Sequence, residues 1–130
     1  MFVQNLKTFS DDRGDLCPIN MSELPFLPKR SFFITNTPHE VIRGEHAHYT
    51  TEQFLVCLKG KIEVFLFDGK ITRNCLLNEH QAVYIPNLIW DSQKFLTDDC
   101  VLLVFASTEY NKLDYITNKQ DFIKLRNSHV

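Results

Sequence analysis

The apolar residues of this chain come in short runs broken by turn chemistry rather than at helical spacing, a pattern that predicts strands. Candidate strands run from Ser31 to Thr35, Val41 to His48, Gln53 to Leu58, Lys61 to Phe67, Ile71 to Leu77, Ala82 to Ile85 and Val101 to Ala106. Their spacing of about ten residues suits an all-β sandwich or small barrel. Lys59-Gly60 parts two runs by two residues, and Asp68-Gly69 follows Ile62-x-Val64-x-Leu66 before another β-prone segment, so both joints predict tight hairpins. Val101-Leu-Leu-Val-Phe105 shows no polar alternation, which predicts a central strand covered on both faces. Only Asn118 to Arg126 reads as a helix, with Asn118 as its cap and Phe122, Ile123 and Leu125 as a short apolar stripe. No repeat or linker interrupts the pattern, so residues 1–130 are expected to form one domain.

Composition strengthens the strand reading, since phenylalanine occurs 11 times and glycine 4. A chain of 130 residues, 44% of them hydrophobic, has no room for a second catalytic domain. Charge narrows the function: 14 basic against 16 acidic residues, a net charge of -2, lack the basic field that a nucleic-acid partner demands. No window approaches the roughly 18 continuous apolar residues of a membrane span. The start meets charge before a signal-like run develops, so a soluble, cytoplasmic protein is expected. Cys17, Cys57, Cys75 and Cys100 show no Cys-x-x-Cys spacing, which predicts free thiols rather than a zinc site.

The most informative segment is Arg43-Gly-Glu-His-Ala-His48. Residues i and i+2 of a strand point to one face, so His46 and His48 are expected to project together, with α-carbons about 7 Å apart. Arg43 lies an odd number of residues from His46, and reaching the same cavity requires a turn or bulge at Gly44. His-x-His followed by Gln53 and Gly60, and later by Pro86-Asn-Leu-Ile-Trp-Asp91, resembles the cupin pattern. Here Gln53 stands at the usual Glu position, Leu88 at a Gly position and Asp91 at a His position. A neutral Gln53 leaves at best an incomplete ligand set, so metal is expected to be dispensable, although His46, His48 and Asp91 keep a two-His-one-carboxylate alternative open.

A closer resemblance covers nearly the whole chain. Asp12-Arg13-Gly14, Lys29-Arg30 before Phe32-Phe33, Arg43-Gly-x-His-Ala-His, Gln53, Tyr84-Ile-Pro86, Trp90 and Ala106-Ser-x-Glu-Tyr110-x-x-x-Asp114-Tyr-Ile116 together resemble the WxcM-like cupins, and within them the dTDP-sugar 3,4-ketoisomerases. Many relatives show tyrosines where this chain has Phe32 and Phe33, and a His where it has Asp91. The resemblance implies a jelly-roll β-barrel with a short C-terminal helix and conversion of dTDP-4-keto-6-deoxyglucose to a 3-keto isomer, feeding 3-amino sugars of surface glycans such as O-antigen. It implies a homodimer, in keeping with the apolar Phe2, Val3, Leu6 and Phe9 near the start. Such a reaction proceeds through an enediol or enediolate without an external electron carrier, so no cofactor is expected, and it needs groups that titrate near neutrality. His46 and His48 are the expected proton-transfer pair, with Arg43 stabilising the enediolate. Arg13, Lys29 and Arg30 are candidates for the diphosphate, and Phe33, Tyr84, Trp90 and Tyr110 for thymine. Gln53 is placed with the substrate, and Arg13-Gly14 at the sugar, where relatives with this pair resemble the galacto-product group. Two rival readings are a non-catalytic sugar-nucleotide binder and a metal-dependent cupin enzyme.

Overall fold

A computed structural model describes residues 2–128. Twelve strands and one α-helix follow in chain order: β1 (Val3–Asn5), β2 (Phe9–Asp11), β3 (Gly14–Leu16), β4 (Arg30–Ile34), β5 (Ile42–His48), β6 (Gln53–Lys59), β7 (Ile62–Phe67), β8 (Thr72–Leu77), β9 (Gln81–Ile85), β10 (Trp90–Phe95), β11 (Val101–Ala106), β12 (Tyr115–Ile116) and α1 (Lys119–Ser128). Two five-stranded sheets face each other, β1-β9-β6-β11-β4 and β12-β5-β10-β7-β8, and β2 and β3 form a separate hairpin. This is the expected all-β jelly roll with a short C-terminal helix, its two sheets not closed into one hydrogen-bonded ring.

Alternation along each strand divides the side chains into layers. Leu55, Cys57, Ile62, Val64, Leu66, Leu77, Val83, Ile85, Leu102 and Val104 fill the space between the sheets. The opposite parity points outward, and each chain end covers one outer face. Leu6, Ile19, Leu24 and Phe26 pack on Phe54, Val56, Ala82 and Phe105 of the first sheet. Phe122, Ile123 and Leu125 of α1 pack on Ala47 and Trp90 of the second. β11 is thereby covered on both sides, as its unbroken apolar run predicts.

Two turn expectations separate here. Asp68-Gly69 does join a hairpin, β7 to β8, but through four residues: Phe67 pairs with Thr72, and Asp68 Oδ1 accepts from the N–H groups of Lys70 and Ile71. Lys59-Gly60 is not a hairpin. β6 pairs with β9 and β11 while β7 pairs with β8 and β10, so the chain changes sheets there. Gly60, at φ +83, is pressed so close to Thr97 and Cys100 that a Cβ has no room. The expected helix begins one residue after Asn118, whose Oδ1 accepts from Asp121 N–H at 2.9 Å. No described helix is long and apolar enough to cross a membrane. All four cysteines are free.

Candidate active site

His46 and His48 project from β5 toward the gap between the sheets, with ring centroids 5.0 Å apart and the planes nearly perpendicular. Tyr115 closes over both, 5.0 Å from His46 and 4.5 Å from His48. It is held there because β12 pairs Tyr115 with His48. The preceding Asp114 accepts from the backbone and hydroxyls of Thr50 and Thr51 just beyond β5. Burial alone raises Asp114's carboxyl, yet those bonds hold it below the usual carboxylate range. His48 is almost fully buried and its Nε2 has no partner. Burial, then the neighbouring His46, pushes its pKa down to about 4, and burial lowers His46 as well. Both imidazoles are therefore proton acceptors at neutral pH.

The bulge demanded at Gly44 is present. Asp91 pairs with His46 and Ser92 with Gly44, leaving Glu45 as the extra residue. Gly44 and Glu45 take φ of +89 and +63. That extra residue cancels the odd offset, so Arg43 lines the same cavity of about 170 Å³ as His46. Gln53, Phe32, Asp91, Gln93 and Tyr115 complete its polar and aromatic walls, and Leu55, Leu102 and Val104 of the core make its floor. Burial drives Asp91 up to about 7, against the pull of its bond from Gln93. Among the described residues no three His, Cys, Asp or Glu side chains are grouped to hold a metal ion.

Outside this cavity lies an open groove of about 420 Å³, lined by Tyr110, Lys112, Thr117 and, on the shared wall, Tyr115. Arg30 stacks between Phe32 at 5.4 Å and Tyr110 at 5.8 Å. Its buried Nε has no partner. A guanidinium with a free donor thus stands between Phe32 of the cavity wall and Tyr110 of the groove.

Several expected residues are not brought to the cavity. Phe33 is 69% exposed, because it has the opposite parity to Arg30 on β4, and Phe32 takes the inward place. Tyr84 points to the outer face of the first sheet, against Phe26 and bonded to Glu52, and its phenol is pushed up to about 12 by burial and then by that carboxylate. Trp90 lies under α1 with its ring 5.8 Å from Phe122, one residue out of phase with inward Asp91. Arg13 and Gly14 sit on the exposed β2–β3 hairpin, where Arg13 binds Asp11. Lys29 is exposed. Phe32, Gln93, Tyr115 and Lys112 were absent from the expected set; the i, i+2 parity from Arg30 to Phe32 is the signal that finds the first of them.

A family described as FdtA: WxcM-like, C-terminal, matches residues 1–127. A TDP-4-oxo-6-deoxy-alpha-D-glucose-3,4-oxoisomerase from Aneurinibacillus thermoaerophilus is 38% identical over 124 residues, 94% of this chain and 89% of the relative. Among solved structures, a histidine-to-asparagine variant of the 3,4-ketoisomerase QdtA from Thermoanaerobacterium thermosaccharolyticum, in complex with TDP-4-keto-6-deoxyglucose, superposes with a TM-score of 0.92 at 32% identity, covering 98% of this chain and 94% of that one. WlaRA, a TDP-fucose-3,4-ketoisomerase from Campylobacter jejuni, gives 0.88 at 30% identity, covering 98% and 96%.

Proposed function

The chain belongs to the WxcM-like family and is a sugar-nucleotide 3,4-ketoisomerase, and from that premise we propose that it converts dTDP-4-keto-6-deoxyglucose into a dTDP-3-keto-6-deoxyhexose through an enediol or enediolate. The observation that carries this reading is the pair of neighbouring imidazoles, His46 half-buried and His48 buried, beside a cavity that Arg43 also lines. His46, which lines the cavity, takes the hydrogen from C3 and returns it to C4; His48 serves the oxygens; Arg43 stabilises charge on the enediolate. Gln53 binds sugar hydroxyls. Arg30 meets the diphosphate, and Tyr110 offers thymine a face in the outer groove. The ketone moves within the sugar, so the balance closes without an electron carrier.

The chain is further read as one catalytic domain working as a homodimer. Phe9 and Leu16 pair on the β2–β3 hairpin and both are exposed, and an isolated two-stranded hairpin is marginal in water, which favours a second copy as its cover. Such a copy would receive Arg13-Gly14 near its sugar, and glycine leaves one face of C4 open, in keeping with a galacto product. A 3-keto product suits an aminotransferase making 3-amino-3,6-dideoxy sugars for surface glycans, and free thiols suit the cytoplasm.

Incubation with dTDP-4-keto-6-deoxyglucose in deuterated water, followed by NMR, tests the reaction: solvent deuterium and a 3-keto product are expected. A sugar left unchanged while dTDP raises the melting temperature would reduce the protein to a binder. Replacing Arg13-Gly14 by Tyr-Arg is expected to alter the C4 epimer, and light scattering to give twice the 15.2 kDa chain mass.

A further inference from the structure

Isomerisation needs an acid as well as a base. As the hydrogen leaves C3, the C4 carbonyl oxygen gains negative charge, and two uncharged imidazoles accept protons rather than give them. Among the described residues, Asp91 supplies the one carboxyl lining the cavity. It sits on β10 directly across from His46 on β5, a pairing that sets Cβ atoms about 5 Å apart. The side chain is 1% exposed. Gln93 Nε2 donates to Oδ1 at 2.6 Å, and buried Oδ2 has no partner. A carboxylate with an orphaned oxygen is costly to bury, whereas a carboxylic acid places its proton on that oxygen and keeps a donor for a ligand.

We propose that Asp91 is a further catalytic residue, the general acid that protonates the C4 oxygen of the keto-sugar while His46 takes the C3 hydrogen. The inference rests on the ketoisomerase reading above. In the first half the C3–H bond breaks, its proton goes to His46, its electron pair forms the C3=C4 bond, and the C4 oxygen takes the proton of Asp91. In the second half the C3 hydroxyl gives its proton to His48 and becomes the ketone, while C4 takes the proton from His46. Asp91 regains one proton and His48 releases one by exchange with water, so no electrons are lost. Burial supports the role, because it brings the carboxyl into the neutral range. The titratable or charged groups sharing its cavity are Arg43 and His46 from β5 and Tyr115 from β12. β6 contributes neutral Gln53, and β7 sets Leu66 opposite it.

The test compares wild type, Asp91→Asn and Asp91→Glu for melting, dTDP affinity and turnover of the keto-sugar against pH. Asp91→Asn keeps the acceptor for Gln93, so melting and dTDP affinity are expected to hold while kcat falls on the order of 100-fold to 10,000-fold. The decline of wild-type kcat above about pH 7 should vanish in Asp91→Asn, and Asp91→Glu should recover part of the rate. Near wild-type turnover in Asp91→Asn, or an unchanged alkaline limb, overturns the proposal; so does a limb that Tyr115→Phe removes instead. Should Asp91→Asn not fold, infrared spectra of the wild type decide: a protonated-carboxyl band that titrates near pH 7 and shifts on binding the keto-sugar supports Asp91, and its absence overturns it. A wild type that never isomerises the sugar sinks the functional reading itself, whereas an active wild type with an equally active Asp91→Asn sinks this inference alone.

Discussion

Burial gives the two imidazoles the same charge but different access. His46 lines the cavity and His48 lies deeper, against Tyr115, so removing each should cost differently. His46→Asn is expected to lower turnover on the order of 100-fold to 10,000-fold and abolish washout of C3 deuterium, with His48→Asn losing less and keeping washout. Melting and dTDP affinity in both variants check that the fold survives. Trp90 offers the opposite contrast. Its ring packs on Phe122 away from the cavity, so Trp90→Ala should cost about 3 kcal/mol by denaturant unfolding and leave dTDP affinity of the folded fraction unchanged. A bound-nucleotide role for Trp90 would instead show as lost affinity. Residue identity alone does not separate Trp90, Tyr84 and Phe33, which lie away from the cavity, from side chains that line it, because an aromatic side chain looks the same whether it faces in or out. Parity decides, and it was legible at Arg30 and Phe32, two residues apart on one strand.

At the scale of elements, every strand read from the pattern is present within a few residues, and the bulge at Gly44 was required before it was seen. The strand β10 was not legible. Asp91, Ser92, Gln93 and Lys94 look like loop, yet Asp91 and Gln93 are buried because a binding cavity, unlike a core, wants polar groups pointing inward. The change of sheets at Gly60 was equally hidden, since a two-residue joint with glycine serves a hairpin or a crossing alike. Gly44→Ala tests the bulge. It sets a Cβ at 3.1 Å from Asp91 O, Gln93 Oε1 and Ser92 Cα in left-handed backbone. We expect a loss of about 1–2 kcal/mol in urea and a larger fall in turnover than in stability, as Arg43 swings from the cavity. Full activity with full stability would show that Arg43 is not held by the bulge.

For the whole molecule, Asp91 and His48 pull stability in opposite directions with pH. Asp91 stands at about 7 in the fold against 3.8 unfolded, so its contribution is complete below about 3.8 and is lost as pH rises through about 7. His48 stands at about 4 against 6.5, so its contribution is complete above 6.5 and is lost as pH falls toward 4. Between these limits the two slopes offset. Unfolding free energy measured from pH 4 to pH 7 should therefore rise more steeply with pH in Asp91→Asn than in wild type, and less steeply in His48→Asn; parallel curves would refute the assignment. The change of sheets at Gly60 carries its own consequence, and it concerns time. Because β6 and β7 part company, β6 must wait for β9 and β11, and Val3 of β1 must wait for Val83. Long loops close before any pairing rewards them, which places folding on the order of milliseconds to seconds. Trp90, the single tryptophan, lies under α1 and reports that docking by stopped-flow fluorescence. During that interval the strand edges stand open to neighbouring chains, so refolding yield should fall as protein concentration rises.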